Sequence, residues 1–330
     1  MKTNKKSKIR NVAVLTSGGD SPGMNAAIRA VVRMTHYYGV KCYGVLRGYY
    51  GLINDEFVEM GPRSVSNIIQ RGGTILRTSR CKEFETSEGL KKAALNLSRR
   101  GIDALIAIGG NGTYMGAIDL GKIWKGKIIG VPGTIDNDLY GTDSTIGYDT
   151  AVNTALDAID KLRDTADAHE RIFLVEVMGR HAGFIGLETA IAGGAENVFI
   201  PETTTSIDEV SKQMEMNYRN GKTSSIVIVS EGDEEGNAFT IAKKLQKASG
   251  REYRVVVLGH LQRGGSPTAA DRRLATELGA FAVEQARIGK TGVCVGRVGG
   301  KLVLTPLKIA VHKRKKLDSF LLKIFKGLAS

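Results

Sequence analysis

The sequence predicts an α/β fold of two interleaved, doubly wound lobes with mostly parallel sheets, and three observations carry that expectation. Short apolar runs of strand length alternate with segments of helical period along nearly the whole chain, the pattern of parallel strands joined by helical crossovers. The 41 glycines suit a chain with many tight strand-to-helix turns. At 330 residues there is room for two lobes, yet no Pro-rich or low-complexity linker occurs, so two lobes would have to exchange chain segments.

Ligands of open α/β sheets bind outside the carboxyl ends of strands, so each predicted strand is read together with the turn that follows it. The first strand, Val12–Thr16, runs into TSGGDSPGMN at residues 16–25. Gly18-Gly19 lets the backbone approach a ligand, and Ser21-Pro22 reads as N-cap and first position of a helix whose amino end can face a phosphate. Met24-Asn25 stands where a Walker loop needs Lys and Ser or Thr, so the turn is not of that type. A plain tight turn is the other reading. After a second strand, Lys41–Leu46, the segment RGGTILRTSR at 71–80 offers Arg77 and Arg80.

The third strand, Ala104–Ile108, opens into IGGNGTYMGA at 108–117. Gly110, Gly112 and Gly116 there miss the dinucleotide fingerprint, because Met115 occupies its third glycine position. A glycine cluster between a strand and a helix still suits phosphate binding. The fourth strand, Lys127–Val131, is followed by PGTIDND, which places Asp136 and Asp138 around Asn137, with Asp143 and Asp149 beyond. A helix then shows one apolar face at Val152, Ala155, Leu156, Ile159 and Leu162. Strand Ile172–Val177 leads to MGRHAG, where Arg180 sits between Gly179 and Gly183 at the start of a helix running towards Ala192. Strands Asn197–Ile200, Ser225–Val229, Val255–Leu258 and Thr291–Val295 complete the set, and LGHLQRGGSP at 258–267 adds His260 and Arg263. Glycine turns, arginines and carboxylates at strand ends together describe phosphoryl transfer: phosphates to hold, a metal, and a proton to remove.

Other chemistries lack their residues. HERIF at 169–173 has no second metal-binding His, no G-x-S-x-G elbow occurs, and His36 and His312 have no acidic or cysteine neighbours in sequence. Cys42, Cys81 and Cys294 are widely spaced, which argues against a zinc site or disulfides and fits a reducing cytoplasm. No run is long enough for a signal peptide core or a membrane span. Of the formal net charge of +13, residues 1–10 carry +5 and residues 308–330 carry +6, leaving +2 for the body, so no nucleic-acid surface is expected there. The last segment, KRKKLDSFLLKIFKGLAS, reads as an amphipathic helix that either docks on the body or meets an acidic surface.

Together LTSGGDSPGMNAAIR, GYYGL, GGT, IGGNGTYMGA, PGTIDND, IDKLRD, VEVMGR, AGGAEN and LGHLQRGGSP resemble the bacterial-type ATP-dependent 6-phosphofructokinases, in that family's order, from about Val12 to about Thr305. The resemblance implies a nucleotide-binding lobe of residues 1–147 with 262–303, and a sugar-phosphate and regulatory lobe of 148–261 with 304–330. It implies Asp136 as the base at the sugar 1-hydroxyl, Thr134 on the transferring group, Asp138 on the sugar, and Arg180, Arg80 and the Gly19 amide on the developing charge. Tyr49, Gly109, Gly110, Asn111, Gly112, Thr113 and Gly116 would hold ATP, and Met178, Gly179 and Glu231 would line the sugar of fructose 6-phosphate. Arg171, Arg254, His260 and Arg263 would take its 6-phosphate, with Arg171 and Arg254 coming from a neighbouring subunit of a homotetramer.

An effector site for ADP or phosphoenolpyruvate is implied at Arg29, Arg33, Arg163, Gly194, Glu196 and Lys222, although Pro62, Asn220 and Ser224 depart from its pattern. Relatives carry Asp where this chain has Asn111, which keeps a carbonyl oxygen for magnesium but loses the charge. Two alternatives stay open. One is a pyrophosphate-dependent relative, against which Gly112 and Gly133 speak by leaving room for a nucleotide; the other is a catalytically weak regulatory subunit that binds sugar phosphate, which Asn111 would suit. A nicotinamide dehydrogenase lacks its fingerprint.

Overall fold

The protein is described here by a computed structural model covering residues 9–328. Its elements run β1 (Asn11–Thr16), α1 (Met24–Tyr37), β2 (Lys41–Val45), α2 (Tyr49–Ile53), β3 (Phe57–Met60), α3 (Ser87–Arg99), β4 (Ala104–Gly109), α4 (Asn111–Ile123) and β5 (Lys127–Pro132). They continue with α5 (Tyr148–His169), β6 (Ile172–Val177), α6 (Phe184–Ala192), β7 (Asn197–Phe199), α7 (Ile207–Arg219), β8 (Ser225–Ser230), α8 (Ala238–Ser249) and β9 (Tyr253–Val257). The chain ends through α9 (Ala269–Arg287), β10 (Val293–Val298), β11 (Lys301–Pro306), α10 (Leu307–His312) and α11 (Ser319–Leu328).

Two compact units result. The first holds the chain through Thr134, Leu139–Asp149 and Arg263–Lys315; the second holds Ile135–Asp138, Thr150–Gln262 and the chain from Lys316. This division differs from the expected boundaries by one or two residues at 148–149 and at Gln262, and by more at two places. Residues 304–315 belong to the first unit, because β11 pairs with β10 and α10 packs on α4. Ile135–Asp138, which the expected boundary placed with the nucleotide lobe, groups with the second unit.

The first unit is built on a seven-stranded sheet in the order β11-β10-β5-β4-β1-β2-β3. Strands β10, β5, β4, β1 and β2 are parallel, and β11 and β3 close the two edges antiparallel. Every residue of β4, and all of β1 but Asn11, is buried, as strands covered on both faces must be, which is why they read as unbroken apolar runs. The edge strands FVEM and KLVLTP carry charge and face solvent in part, so they leave no such run and were not expected from sequence. From β1 the chain winds towards β2, and from β4 it winds the other way towards β5, so the strand order reverses between β1 and β4.

The second unit has a four-stranded, all-parallel sheet in the order β7-β8-β6-β9. On α5 the buried face is Ala151, Val152, Ala155, Ile159 and Ala166, while Leu156 and Leu162 of the expected stripe are only half-buried. Helix α11 packs beside α6 without fully burying any residue, so the terminal helix does dock on the body. Residues 1–8 of the basic amino-terminal run lie outside the described residues. Among the described residues, no helix is long and apolar enough to cross a membrane.

One expectation at the start of α1 fails. Ser21-Pro22 are not its cap and first residue: the N-cap is Gly23, in the left-handed region at φ 107°, and Met24 begins the helix. The Met24 amide donates to the Ser21 carbonyl at 3.2 Å, so Ser21-Pro22 lie in a tight turn before the helix. A side chain at Gly23 would be strained by that φ and would meet Ile146 Cγ2 at 2.7 Å.

Helices α1 and α9 cross so closely that a Cβ on Gly279 would lie 2.7 Å from the Ala27 carbonyl oxygen and 3.0 Å from the Ala30 methyl. Gly279→Leu must push the helices apart, and overpacking of this kind costs roughly 1–3 kcal/mol. The expected result is a lower urea midpoint at unchanged slope. An unchanged midpoint would mean that the close crossing contributes nothing.

Candidate active site

The strand order reverses between β1 and β4, and the carboxyl ends at such a reversal are the place where doubly wound sheets take ligands. Three turns of the first unit meet there. The Ser17 amide donates to the Ile108 carbonyl at 3.0 Å, carrying the pairing one residue past β1, and Thr113 Oγ donates to the Ser17 carbonyl at 3.0 Å. The Gly133 amide donates to the Gly109 carbonyl at 3.0 Å, which brings in the turn after β5. Gly18 and Gly19 remain exposed on top of this frame.

The glycines of IGGNGTYMG divide by what surrounds them. A Cβ on Gly109 would strike Thr113 Oγ at 2.2 Å and the Ser17 carbonyl at 2.5 Å; one on Gly116 would sit 2.7 Å from the Tyr49 ring. Tyr49 is itself buried, stacks on Phe84 at 4.0 Å, and donates its hydroxyl to the Thr113 carbonyl. Burial raises its hydroxyl pKa, so it stays protonated. Gly109, Thr113, Gly116 and Tyr49 therefore shape the turn from beneath, and Tyr49 is a support whose hydroxyl is already used. Gly110, the N-cap of α4, supplies no side-chain acceptor and faces Thr134, and Gly112 opens onto space with nothing within 4 Å of its missing Cβ. An anion suits the amino end of such a helix.

Gly133 is different from what its sequence suggested. A Cβ there would meet Ile108 Cγ2 at 2.9 Å and the Met24 methyl at 3.2 Å, so this glycine serves packing, and only Gly112 leaves room. Thr134 is half-buried, and its carbonyl accepts the Thr145 hydroxyl at 2.6 Å. Arg263 lies over Gly19, its guanidinium carbon 3.3 Å from where a Cβ would be. Arg77 and Arg80 are exposed, and Arg77 holds φ 60°, a costly conformation fixed by Thr16 Oγ donating to its carbonyl at 3.0 Å.

In the second unit the carboxyl ends of β6, β8 and β9 bring Met178, Gly179, Arg180, Glu231 and His260 to one sheet edge. Gly179 at φ 147° and Arg180 at φ 54° form a strained turn. The Met178 amide is held at 2.8 Å by Oε1 of Gln262, a fully buried side chain that also donates to the Ala151 carbonyl at 3.3 Å. Gly232 passes against this turn; a Cβ there would lie 1.7 Å from the Arg180 carbonyl oxygen. Arg180 reaches Asp136, Nε to Oδ2 4.0 Å, with the carboxylate side chain 13% exposed and the guanidinium 65% exposed. Asn137 at φ 55° turns the chain between Asp136 and Asp138.

The remaining acids of the cluster are structural. Asp143 accepts the Gly299 amide at 2.7 Å, and Asp149 accepts the Thr268 hydroxyl at 2.5 Å. Sequence reasoning also missed Gln262 and Thr145. Their only signal was a polar residue inside a glycine-rich segment, and their partners lie far away in sequence.

Arg171 and Arg254 are not brought to this edge. Arg171 precedes β6 and Arg254 sits near the start of β9, opposite Phe173, so the length of β6, about 20 Å, separates them from Met178–Arg180. Both are exposed, and Arg254 pairs with Glu252 at 3.1 Å. Elsewhere in the second unit, Glu196, with a side chain 5% exposed, accepts the Ile226 amide at 2.6 Å and pairs with Lys222 at 2.5 Å and Arg163 at 3.9 Å. Arg163 also donates to the carbonyls of Gly193 and Gly194. Arg29 and Arg33 lie on α1, in the first unit.

No group of three or more His, Cys, Asp or Glu side chains among the described residues could hold a metal by itself.

Known proteins match this architecture along its length. A curated ATP-dependent 6-phosphofructokinase 1 of Thermus thermophilus is 55% identical over 321 residues, 97% of this chain and 100% of that one. So the likeness extends into the termini, beyond the span of about Val12 to Thr305 that the motifs mark. Among solved structures, a phosphofructokinase from Saccharomyces cerevisiae superposes with a TM-score of 0.85 at 34% identity, covering 97% of this chain. This chain spans about half, 46%, of that yeast chain. A pyrophosphate-dependent phosphofructokinase from Marinobacter aquaeolei has a TM-score of 0.83 at 23% identity, covering 98% and 92% of the two chains, which is a likeness of fold. The phosphofructokinase family model matches residues 11–286, and the chain belongs to that family.

Proposed function

We propose that this protein transfers the γ-phosphoryl group of ATP to the 1-hydroxyl of fructose 6-phosphate, giving fructose 1,6-bisphosphate and ADP in the glycolytic direction, in the cytoplasm. The observation that carries the proposal is the largely buried Asp136 carboxylate beside Arg180 on a strained turn, two residues after Thr134. The name of the Thermus relative supports ATP as donor.

In this mechanism the first unit binds the nucleotide on the Gly18-Gly19 turn and at the open Gly110–Gly112 end of α4. The second unit binds the sugar through Met178, Gly179, Asp138 and Glu231. Asp136 accepts the proton of the 1-hydroxyl as that oxygen forms its bond to the γ-phosphorus and the bond to ADP breaks. Thr134 orients the moving group, while Arg180, Arg80 and the Gly19 amide stabilise its charge. Arg180 also lies beside Asp136, which helps aim the base. Magnesium, bound with the nucleotide, would be met by Asn111 and would neutralise phosphate charge.

His260 and Arg263 belong to the 6-phosphate site. Arg171 and Arg254, at the far end of β6 and β9, suit a site on a neighbouring subunit, which supports a homotetramer with composite sites. The cations around Glu196, with Arg29 and Arg33, suit an effector such as ADP or phosphoenolpyruvate. A catalytically weak subunit is disfavoured by the Asp136–Arg180 pair, and pyrophosphate as donor by the space at Gly112.

A coupled assay with fructose 6-phosphate and magnesium, comparing ATP with pyrophosphate, tests the proposal; faster turnover with pyrophosphate would overturn it. Gly112→Asp fills the open position and sets a carboxylate against the nucleotide phosphates, so ATP turnover should be abolished while the fold persists by circular dichroism. Asp136→Ser should lower kcat by ~10²–10⁴ with the KM for fructose 6-phosphate largely kept, the range for loss of a general base. Wild-type turnover in that variant would remove Asp136 from the role. If Arg254 serves a neighbour, then mixing inactive Asp136→Ser with inactive Arg254→Ala subunits should restore activity at roughly a quarter of sites by random pairing. No recovery after confirmed subunit exchange would assign Arg254 to its own subunit.

A further inference from the structure

We infer that Asn25 is a positioning residue for the phosphoryl transfer, one that holds the Arg80 loop in place; the inference rests on the charge-stabilising role proposed for Arg80. Asn25 is the second residue of α1, 1% exposed, directly after the Gly18–Gly23 turn. Its side chain does not cap its own helix. Nδ2 donates to the Arg71 carbonyl at 3.0 Å and to the Gly72 carbonyl at 3.1 Å, and Oδ1 accepts the Ile75 amide at 2.8 Å. One amide group thus binds three backbone groups of a segment without helix or strand, 46 to 50 residues away in sequence.

The residue type is specified by this pattern. Two donors and an acceptor on one short side chain are the property of an amide; a carboxylate has no donor, and a hydroxyl cannot span both carbonyls and the amide. Left unmade at a fully buried site, such bonds are expensive, so the loop is fixed as long as the core around Asn25 is. Further contacts hold the same segment from other sides. Thr16 Oγ lies 2.9 Å from Thr74 Oγ, Ser266 Oγ donates to the Gln70 carbonyl at 2.8 Å, and Gly72 is pressed on Gly265, whose carbonyl would lie 2.2 Å from an added Cβ. With Thr16 at the start of the turn carrying Gly18 and Gly19, Asn25 at its end ties the loop to that turn, and Asn25 alone of the two does so through three backbone groups.

At the two positions where a Walker loop carries its Lys and its hydroxyl, this chain therefore has Met24, buried in the core, and Asn25, which fastens an arginine-bearing loop. Positive charge reaches the phosphates from that second loop, through Arg80, instead of from the helix itself.

Asn25→Asp tests this at nearly unchanged volume. It keeps the acceptor for Ile75 and sets a carboxylate against two carbonyl oxygens. Released by about 1 Å, a group aimed at the transition state loses on the order of 10²-fold in rate. We expect kcat to fall on that scale, with a higher KM for ATP and an unchanged KM for fructose 6-phosphate, whose binding residues are mostly in the second unit. The decisive comparison is a double-mutant cycle with Arg80→Ala. If Asn25 acts through Arg80, the double variant is no slower than Arg80→Ala alone. Additive losses, or wild-type kcat in folded Asn25→Asp, would overturn the inference. Wild-type kcat in Arg80→Ala would instead overturn the role of Arg80 and the inference with it, so the two failures are distinct. Should Asn25→Asp not fold, hydrogen exchange on the wild-type protein decides: slow exchange of the Ile75 amide supports the anchor, and exchange at the rate of an exposed loop overturns it.

Discussion

The parallel pairing of β1 with β4 is the interaction on which the rest of the site depends. Its register, Val12 against Ala104 through Thr16 against Ile108, makes both strands end together at the point where the strand order reverses. From there the Ser17 amide and carbonyl are both committed, to Ile108 and to Thr113, and the turn beyond has no freedom except at Gly18 and Gly19. A slip of one residue would break the Ser17–Ile108 bond and carry Gly18 and Gly19 out of line with the end of β4, so the geometry of these turns is fixed by this register.

In each unit the turns that follow the strands accept unfavourable backbone conformations. Arg77, Asn137 and Arg180 all hold positive φ without being glycine. Each costs on the order of 1–3 kcal/mol and persists because its surroundings fix it. For Arg77 the Thr16 hydroxyl and the Asn25 amide fix the loop; for Arg180 the Gln262 side chain and the passing Gly232 backbone do so. Buried amide side chains recur because they can match a backbone donor and acceptor at once without carrying charge into the core.

The two sheets provide different things. The larger sheet supplies glycine turns and helix amino ends, whose backbone amides suit an anion with little side-chain charge. The smaller sheet supplies Arg180, the partner of the Asp136 carboxylate on the turn after β5, and Arg171 and Arg254 lie towards its amino end, away from Arg180.

By itself the sequence determined the α/β class, the main parallel strands, and the turns that carry Gly19, Gly110, Asp136, Arg180 and His260, because buried parallel strands and glycine turns leave local signals in composition and period. The edge strands β3 and β11 were not legible, since half-solvated antiparallel strands resemble loops. The start of α1 was misplaced because Ser21-Pro22 carries a strong local capping signal that the left-handed Gly23 overrides. Tertiary structure alone decided that Gly133 is filled by Ile108 and Met24 while Gly112 is open, that Tyr49 supports the turn from below, and that Arg171 and Arg254 face away from Arg180. It alone paired Asn25 with Ile75 and Gln262 with Met178. A hydrogen bond across 50 or 84 residues depends on where the core brings two segments together, and no local pattern of side chains encodes that meeting.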